Sequence, residues 1–325
     1  MVSEHALEAP LKGSTAERTD RKRTCGGPVQ KGKRNGREAM ERLFHLLFFL
    51  CGTAAVAFVL LISGYLVISG LPAIREIGLK EFLLGQTWAP TATTVEPSYG
   101  ILPFILTSVY GTAGAVLLGV PVGVMTAVFL AKVAPPAAAR TIRTAVELLA
   151  GIPSVVYGLV GMIVLVPAIR ELFGLSSGAC LLAAIVVLAV MILPSIINVS
   201  ETALRAVPKE YEEASLALGA TQIETYFRVS LPAASSGVAT AVVLGVGRAI
   251  GESMAIIMVA GNVANMPGLF TSVRFLTTAI ASEMSYAAFG SLQRNALYSI
   301  GLVLFLFIML INVILNVFIK QKKEE

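Results

Sequence analysis

EASLALGATQIETYFRVSLP, residues 213–232, is a polar stretch that lies between two long apolar segments of the chain. Pro208 suits the first turn of a helix, where its missing N–H costs nothing. Gly219 suits a left-handed residue that ends such a helix. Thr221 and Glu224 then have the spacing of a capping box that opens a second helix. The stretch therefore predicts a helix–Gly–helix hairpin.

The spacing within this hairpin resembles the EAA loop of ABC importer permeases, which reads Glu-Ala-Ala, three residues, Gly, nine residues, Ile, one residue, Leu-Pro. Ser215 for Ala and Val229 for Ile are the two departures, and both keep size and character. The resemblance implies that residues 200–232 dock on an ATP-binding subunit. The alternative is an ordinary amphipathic loop on the bilayer surface. The residues expected to couple to the ATPase are Glu213, Ala214, Gly219, Leu231 and Pro232.

The composition is typical of an integral membrane protein. The chain is 56% hydrophobic and only 14% charged over 325 residues, whereas soluble domains carry about a quarter of charged residues. Residues 1–42 differ, because they hold ten Lys or Arg and little apolar material. Such a segment cannot bury a core, and we expect a disordered basic cytoplasmic tail there.

Six apolar runs are long enough to cross a bilayer, which takes about 20 helical residues. The runs predict an all-α integral membrane protein with six transmembrane helices. With the hairpin, the resemblance implies the type I ABC importer permease fold with a cytoplasmic coupling helix. A first helix, 43–70, and an external loop, 71–100, would precede the transmembrane domain, 101–319, and a short cytoplasmic tail, 320–325. The spans are expected near 43–70, 101–131, 144–169, 178–199, 232–261 and 295–319.

The distribution of basic residues predicts the orientation of these spans. With the amino terminus inside, nineteen Lys and Arg fall on the cytoplasmic side and five fall outside, while Arg248 lies within a span. Both termini and the hairpin are then cytoplasmic, in a multi-pass protein of the cell membrane. This orientation puts the hairpin on the side where ATP is found.

The fifth predicted span carries two charges, Arg248 and Glu252, four residues apart. On one continuous helix they share a face and can pair, which lowers the cost of at least about 2.5–3.5 kcal/mol for a lone charge at mid-bilayer. The pair is either a waypoint for a charged solute or an ion pair that fixes helix packing. Arg suits phosphate-like anions because its planar fork can bond two oxygens at once. Glu147, near the start of the third span, is expected to have a structural role.

Further segments resemble the PstC-type permeases of phosphate-specific ABC importers. The likeness covers about residues 43–320, and the departures are Ser253, where Thr is common, and a longer basic tail. The most specific of these segments reads GRAIGESMA. The segments that carry the resemblance are 88–90, 99–105, 147–158 and 247–255.

This resemblance implies a four-subunit membrane core that imports phosphate. A PstA-type permease would pair with this chain, a PstB-type ATPase dimer would bind both, and a PstS-type binding protein would deliver phosphate outside. ATP and Mg would bind to the partner ATPase, so no cofactor and no catalytic residue is expected in this chain. Arg248 and Glu252 would lie on the path of the solute. Two rivals are a permease for another oxyanion, such as molybdate or sulfate, and an ion-driven carrier without an ATPase.

Other motifs in the chain carry no site. Residues 27–34 nearly spell a phosphate-binding P-loop, but Arg34 stands where Ser or Thr is needed and no strand precedes it. The three Cys lack the spacing of a metal or disulfide site, and neither His has a partner at a useful spacing, so no metal is expected. Membrane lipid surrounds the spans in this interpretation, and no nucleic acid is expected as a partner.

Overall fold

The computed structural model describes residues 34–91 and 96–324, and two compact units divide between Phe58 and Val59. The first unit contributes the start of helix α1, Arg34–Ile77, and every site discussed below lies in the second. The prediction of disorder over residues 1–42 is wrong from Arg34 onward, because α1 already begins there. Residues 37–42 read REAMER, which are mostly strong helix formers. Residues 1–33 lie outside the described part of the chain.

Five of the described helices are long and apolar enough to span a membrane, and two helical segments bent by 72° at a short break count as a sixth when they are taken as one span. The predicted all-α protein with six transmembrane segments is therefore confirmed. The strands described are two short segments, β1, Trp88–Ala89, and β2, Ser98–Tyr99, which pair antiparallel. The spans are Met40–Ile77, Leu102–Val133, Ser154–Phe173, Leu181–Arg205, Gln222–Ala233 with Ser235–Gly251, and Leu292–Leu315.

The remaining helices follow α1 in chain order. Three π-helical turns, Phe129–Val133, Gly161–Leu165 and Tyr226–Ser230, continue the helices that precede them. The α-helices are α2 Leu79–Leu84, α3 Leu102–Val128, α4 Pro136–Gly151, α5 Ser154–Val160, α6 Val166–Phe173, α7 Leu181–Arg205, α8 Lys209–Ala217, α9 Gln222–Thr225, α10 Leu231–Ala233, α11 Ser235–Gly251, α12 Met254–Val259, α13 Leu276–Glu283 and α14 Leu292–Glu324.

The third span differs from its predicted position, 144–169. The spanning helix begins at Ser154, and α4 is a separate helix before it. Ile152 has extended backbone, with φ −71° and ψ 127°, because the residue before a proline such as Pro153 is disfavoured in the α conformation. Helix α4 is amphipathic and buries one face against the end of α3 and against α7.

The fifth span also differs from the single helix predicted over 232–261. Helix α11 ends at Gly251, Glu252 is extended with ψ 133°, and α12 begins only at Met254. At its other end the bend occurs at Ala234, after the short helix α10 that contains Pro232. The span is therefore broken in the middle of the chain segment that carries both charges.

Helix α7 is the centre of the second unit, and small residues let its neighbours approach it. A Cβ added to Gly119 of α3 would lie 2.8 Å from Ile192, and one added to Gly123 would lie 2.7 Å from Ile196. Close backbone approach of this kind drives helix association in lipid, where no hydrophobic force acts between helices. The end of α7 is tied to the π-helical turn that follows α3, because Arg205 donates to the backbone carbonyl of Leu130 at 3.0 Å.

The opposite end of α3 packs against the segment that was predicted as an external loop. Trp88 pairs with Tyr99 across the two strands, and Trp88 also stacks at a tilt on Phe104 in the first turn of α3. We call this region the far end of the unit. The region around residues 200–232, where α3 and α7 finish, is the hairpin end.

Candidate translocation and coupling sites

The hairpin at residues 208–232 has the predicted local structure. Gly219 follows α8 with φ +89°, and its N–H donates to the carbonyl of Leu216 at 3.0 Å. The next N–H, of Ala220, reaches back to the carbonyl of Ser215, which completes a Schellman motif. Thr221 and Glu224 form the capping box that opens α9. The helix–Gly–helix prediction is therefore confirmed.

The tip of this hairpin is apolar and exposed. None of the residues of α8 is buried, and Leu218 is 91% exposed, Ile223 68% and Tyr211 55%. Ala214, predicted to couple to an ATPase, lies on the exposed surface of α8, as does Glu213. Large apolar side chains grouped on an exposed surface mark an interaction site. Leu231 and Pro232 stand apart from this tip, in the helix that leads back to the bundle.

Glu212, which no motif in the sequence marks, anchors the hairpin to the rest of the unit. Its Oε1 lies 2.5 Å from Nζ of Lys132 and accepts a hydrogen bond from the hydroxyl of Ser230 at 2.8 Å. The hydroxyl of Tyr226 donates to the backbone carbonyl of Lys132 at 3.2 Å. Both arms of the hairpin are thus fastened to the π-helical turn that ends the second span. Lys132 and Glu212 are far apart in the sequence, so no short-range pattern predicts the ion pair that the fold forms between them.

A buried acid, Glu201, binds two arginines at the same end. Arg205 donates through Nε at 2.8 Å, and Arg143 of α4 donates to the same oxygen. The hydrogen bond from Arg143 and the Coulomb attraction of Glu201 raise the pKa of the Arg143 guanidinium. The i,i+4 spacing of Glu201 and Arg205 could have indicated this cluster. Glu147 lines the same cavity of about 410 Å³ as these three residues, and its structural role stays a prediction.

Arg248 and Glu252 do not form the predicted ion pair. The helix ends between them, so they no longer share a helical face. Both side chains are half-buried, and the hydrogen bond given to Arg248 runs from Nη1 to the hydroxyl of Ser195 at 3.4 Å, a long contact. Oε1 of Glu252 instead accepts the N–H of Ala255 at 3.0 Å, and its backbone carbonyl accepts the hydroxyl of Thr277 at 2.7 Å.

The surface around Arg248 is open on one side of α11. A Cβ on Gly245 would meet Ile196 at 3.1 Å, so this glycine serves packing within the chain. Gly247 and Gly251, by contrast, have nothing within 4 Å of such an atom. Gly245 therefore contacts α7, whereas Gly247 and Gly251 present bare backbone beside the charged break.

A polar network at the far end joins the segment before α3 to the segment that links α12 to α14. Glu283 pairs with Arg274, and its two carboxylate oxygens accept the indole N–H of Trp88 at 3.0 and 3.1 Å. Gln293 donates to the same carboxylate at 3.2 Å. Arg274 also donates twice to the backbone carbonyl of Asn262, which has φ +52°.

The chain is similar to known membrane components of transport systems. The family of binding-protein-dependent transport system inner membrane components matches residues 119–322. The probable ABC transporter permease protein YqgH of Bacillus subtilis is 40% identical over 286 residues, which is 86% of this chain and 92% of that protein. The phosphate transport system permease protein PstC of Haemophilus influenzae is 36% identical over 304 residues, 87% of this chain and 91% of that protein.

Solved structures share the fold at low sequence identity. A chain of the inward-facing MetNI methionine ABC transporter superposes with a TM-score of 0.55 at 23% identity, covering 68% of this chain and 95% of that chain. A chain of a bacterial alginate ABC transporter, solved with an alginate-bound periplasmic protein, gives 0.56 at 16% identity, covering 87% and 94%. The fold is that of a type I ABC importer permease. The chain therefore belongs to the inner-membrane components of binding-protein-dependent transport systems, and within them to the PstC-type permeases.

Proposed function

We propose that this chain is the permease subunit of an ATP-driven ABC importer that carries inorganic phosphate across the cell membrane. The single observation that carries the proposal is Arg248, a half-buried arginine at the helix break of the fifth span with no carboxylate paired to it among the described residues. Relatives named as phosphate transport permeases at 32–36% identity support the choice of solute. An unneutralised guanidinium within a membrane span is a functional residue by default.

The geometry around Arg248 suits a passing oxyanion. Its planar fork can donate two hydrogen bonds to one phosphate, and the long contact to Ser195 is a weak competitor for those donors. Gly247 and Gly251 leave backbone exposed on the adjacent surface, where a solute or a helix of a second permease can approach. Glu252 caps α12 and stays near the path, where its charge hastens release of a bound anion.

The hairpin would couple this path to ATP. Its exposed apolar tip, with Leu218 and Ile223, fits a groove on a PstB-type ATPase dimer, and Glu212 and its partner Lys132 pass any displacement of the tip to the end of α3. Rigid-body rocking of the spans around a mid-membrane site is enough for alternating access. ATP and Mg would bind to the ATPase, and this chain would hold no cofactor and catalyse no reaction.

The orientation and the other partners follow from the same arrangement. The excess of basic residues at the hairpin end supports a cytoplasmic position for the hairpin and for both termini. A PstS-type binding protein would then meet the far end, where the Trp88 and Glu283 network holds two loops together. A PstA-type permease would pair with this chain, and membrane lipid, not nucleic acid, would surround the spans.

Uptake of labelled phosphate by the reconstituted four-component complex tests the proposal. Arg248→Gln should lower uptake about tenfold or more, because a charge-assisted hydrogen bond to phosphate is lost, while the complex stays assembled. Arg170→Gln, which removes an exposed arginine at the end of α6, is the matched control and should transport normally. Unchanged phosphate uptake by Arg248→Gln, or preferred uptake of labelled sulfate or molybdate by the native complex, would reject the assignment.

A further inference from the structure

We propose that a cavity at the hairpin end binds a phosphate group, supplied either by free inorganic phosphate or by the headgroup of an anionic lipid. The cavity has a volume of about 370 Å³ and lies between the end of α3, the first turns of α4 and the end of α7. Four basic residues line it: Lys132, Arg140, Arg143 and Arg205. None of the described residues that line this cavity is acidic.

The charges around the cavity do not balance. Arg143 and Arg205 share one carboxylate, Glu201, whose side chain is 6% exposed, and Lys132 pairs with Glu212. Arg140 has no ion-pair partner among the described residues. Glu147 also attracts Arg143, so four cations meet three carboxylates and one positive charge remains in excess. A cluster that served only to fix α4 against α7 would gain nothing from the surplus positive charge, because like charges at close range repel.

The acids and the bases are also segregated. Arg143 and Arg205 form a common wall between this cavity and the neighbouring one of about 410 Å³, and the carboxylates of Glu147 and Glu201 line only that neighbour. The two guanidinium groups keep 39% and 49% of their side-chain surface exposed. Glu201, on the side of the neighbouring cavity, fixes the orientation of both guanidinium groups. Oriented guanidinium forks with open N–H groups are the usual receptor for phosphate oxygens.

This inference holds whatever solute the chain transports, because Arg248 lines neither cavity. Free phosphate would reach the cavity from the aqueous side of the hairpin end. A lipid headgroup would reach it along α4, whose amphipathic surface suits the membrane interface. The two sources present the same phosphate oxygens, and they can be separated by experiment.

The test measures access to the cavity in the assembled full-length complex. Ala134, which lines the cavity, is changed to Cys after Cys25, Cys51 and Cys180 are replaced by Ala and accessible cysteines are removed from the other subunits. The rate of labelling with N-ethylmaleimide is measured in vesicles of phosphatidylcholine with potassium phosphate or with potassium chloride at equal ionic strength. A second set of vesicles contains phosphatidylglycerol and no added phosphate. At about ten times Kd the labelling rate should fall about tenfold.

Two controls keep the result specific. A Cys at Thr144, exposed on α4 and outside the cavity, should be labelled at one rate in all conditions. Arg140→Gln breaks no ion pair of the described residues and should weaken the protection about tenfold or more, whereas Arg228→Gln, elsewhere at the same end, should leave it intact.

Each outcome decides the question. Protection by potassium phosphate identifies free phosphate, and protection only in vesicles with phosphatidylglycerol identifies the lipid headgroup. Equal labelling in all conditions, or protection that persists in Arg140→Gln, would overturn the proposed site.

Discussion

At the scale of single residues, the spacing of Arg248 and Glu252 illustrates when a helical pattern holds. Four residues separate the two charges, and on a continuous helix that spacing predicts contact. The backbone turns to ψ 133° at Glu252, so its carboxylate instead accepts the N–H of Ala255. Among the described residues, Arg248 is left with the hydroxyl of Ser195 as its hydrogen-bond partner. An arginine without a neutralising partner is more available to an anionic solute than a paired one would be.

The absence of pairing predicts independent effects on stability. Arg248→Gln and Glu252→Gln should change the apparent free energy of unfolding of the purified complex by amounts that add in the double variant, within the scatter of about 0.3–0.5 kcal/mol seen for uncoupled sites. The glutamine at position 252 keeps an oxygen that can accept the N–H of Ala255. A double variant clearly more stable than the sum of the singles would indicate an ion pair in solution.

At the scale of elements, the hairpin combines local and distant interactions. Its shape comes from a Schellman motif around Gly219 and a capping box at Thr221, both of which use residues within a few positions. Its attachment comes from Glu212, which reaches Lys132 at the end of the second span. The tip is free to bind a partner because these interactions already satisfy the polar groups at its base.

Gly219→Asp should disable coupling while sparing assembly. A non-glycine residue with left-handed φ costs about 1–2 kcal/mol, and at φ +89° the bend would open and displace Leu218. Phosphate uptake and its stimulation of ATP hydrolysis should both be lost in the assembled complex. Gly174→Asp is the matched control, because Gly174 also follows a helix, has φ +63° and has nothing within 4 Å of an added Cβ. Equal losses in the two variants would show that the defect is general strain.

The ion pair of Lys132 and Glu212 should transmit movement of the hairpin to the end of the second span. Glu212→Gln leaves a largely buried ammonium without its carboxylate, which costs about 1–3 kcal/mol, and it loosens the hairpin from α3. ATP hydrolysis should then become less responsive to the binding protein and phosphate. The exchange of both residues, Lys132→Glu with Glu212→Lys, should restore part of that response. If the exchanged pair is no better than Glu212→Gln, the ion pair does not transmit the motion.

At the scale of the whole molecule, α3 and α7 connect the two functional ends. The hairpin end, where these helices finish, holds the hairpin and a cavity lined by basic residues. The network of Trp88, Arg274 and Glu283 lies at the far end. The Glu283 carboxylate holds Trp88, in the segment before α3, against the segment that joins α12 to α14. A far end held by a network of hydrogen bonds and an exposed hairpin tip suit a subunit that receives solute at one end and responds to the movement of a partner at the other.

The orientation predicts which end reacts with a thiol reagent that cannot cross the membrane. In a chain without Cys25, Cys51 and Cys180, a Cys at Tyr286, which is 88% exposed at the far end, should be labelled in intact cells. A Cys at Thr221 in the hairpin should be labelled only after the cells are opened, although it is exposed too. Labelling of the Thr221 variant from outside would reverse the orientation.

The sequence by itself determined the class, the number of apolar spans and the hairpin, because apolar runs, the glycine at position 219 and the capping box act over a few residues. It also marked Arg248 and Glu252, yet it paired them on a helix that does not continue. Only the tertiary structure decided that the helix breaks there. At the break the hydroxyl of Thr277 donates a hydrogen bond to the backbone carbonyl of Glu252. The tertiary structure also brought Lys132 to Glu212 and Arg143 to Glu201. These contacts join segments far apart in the chain, so they exist only once packing around α7 has brought those segments together.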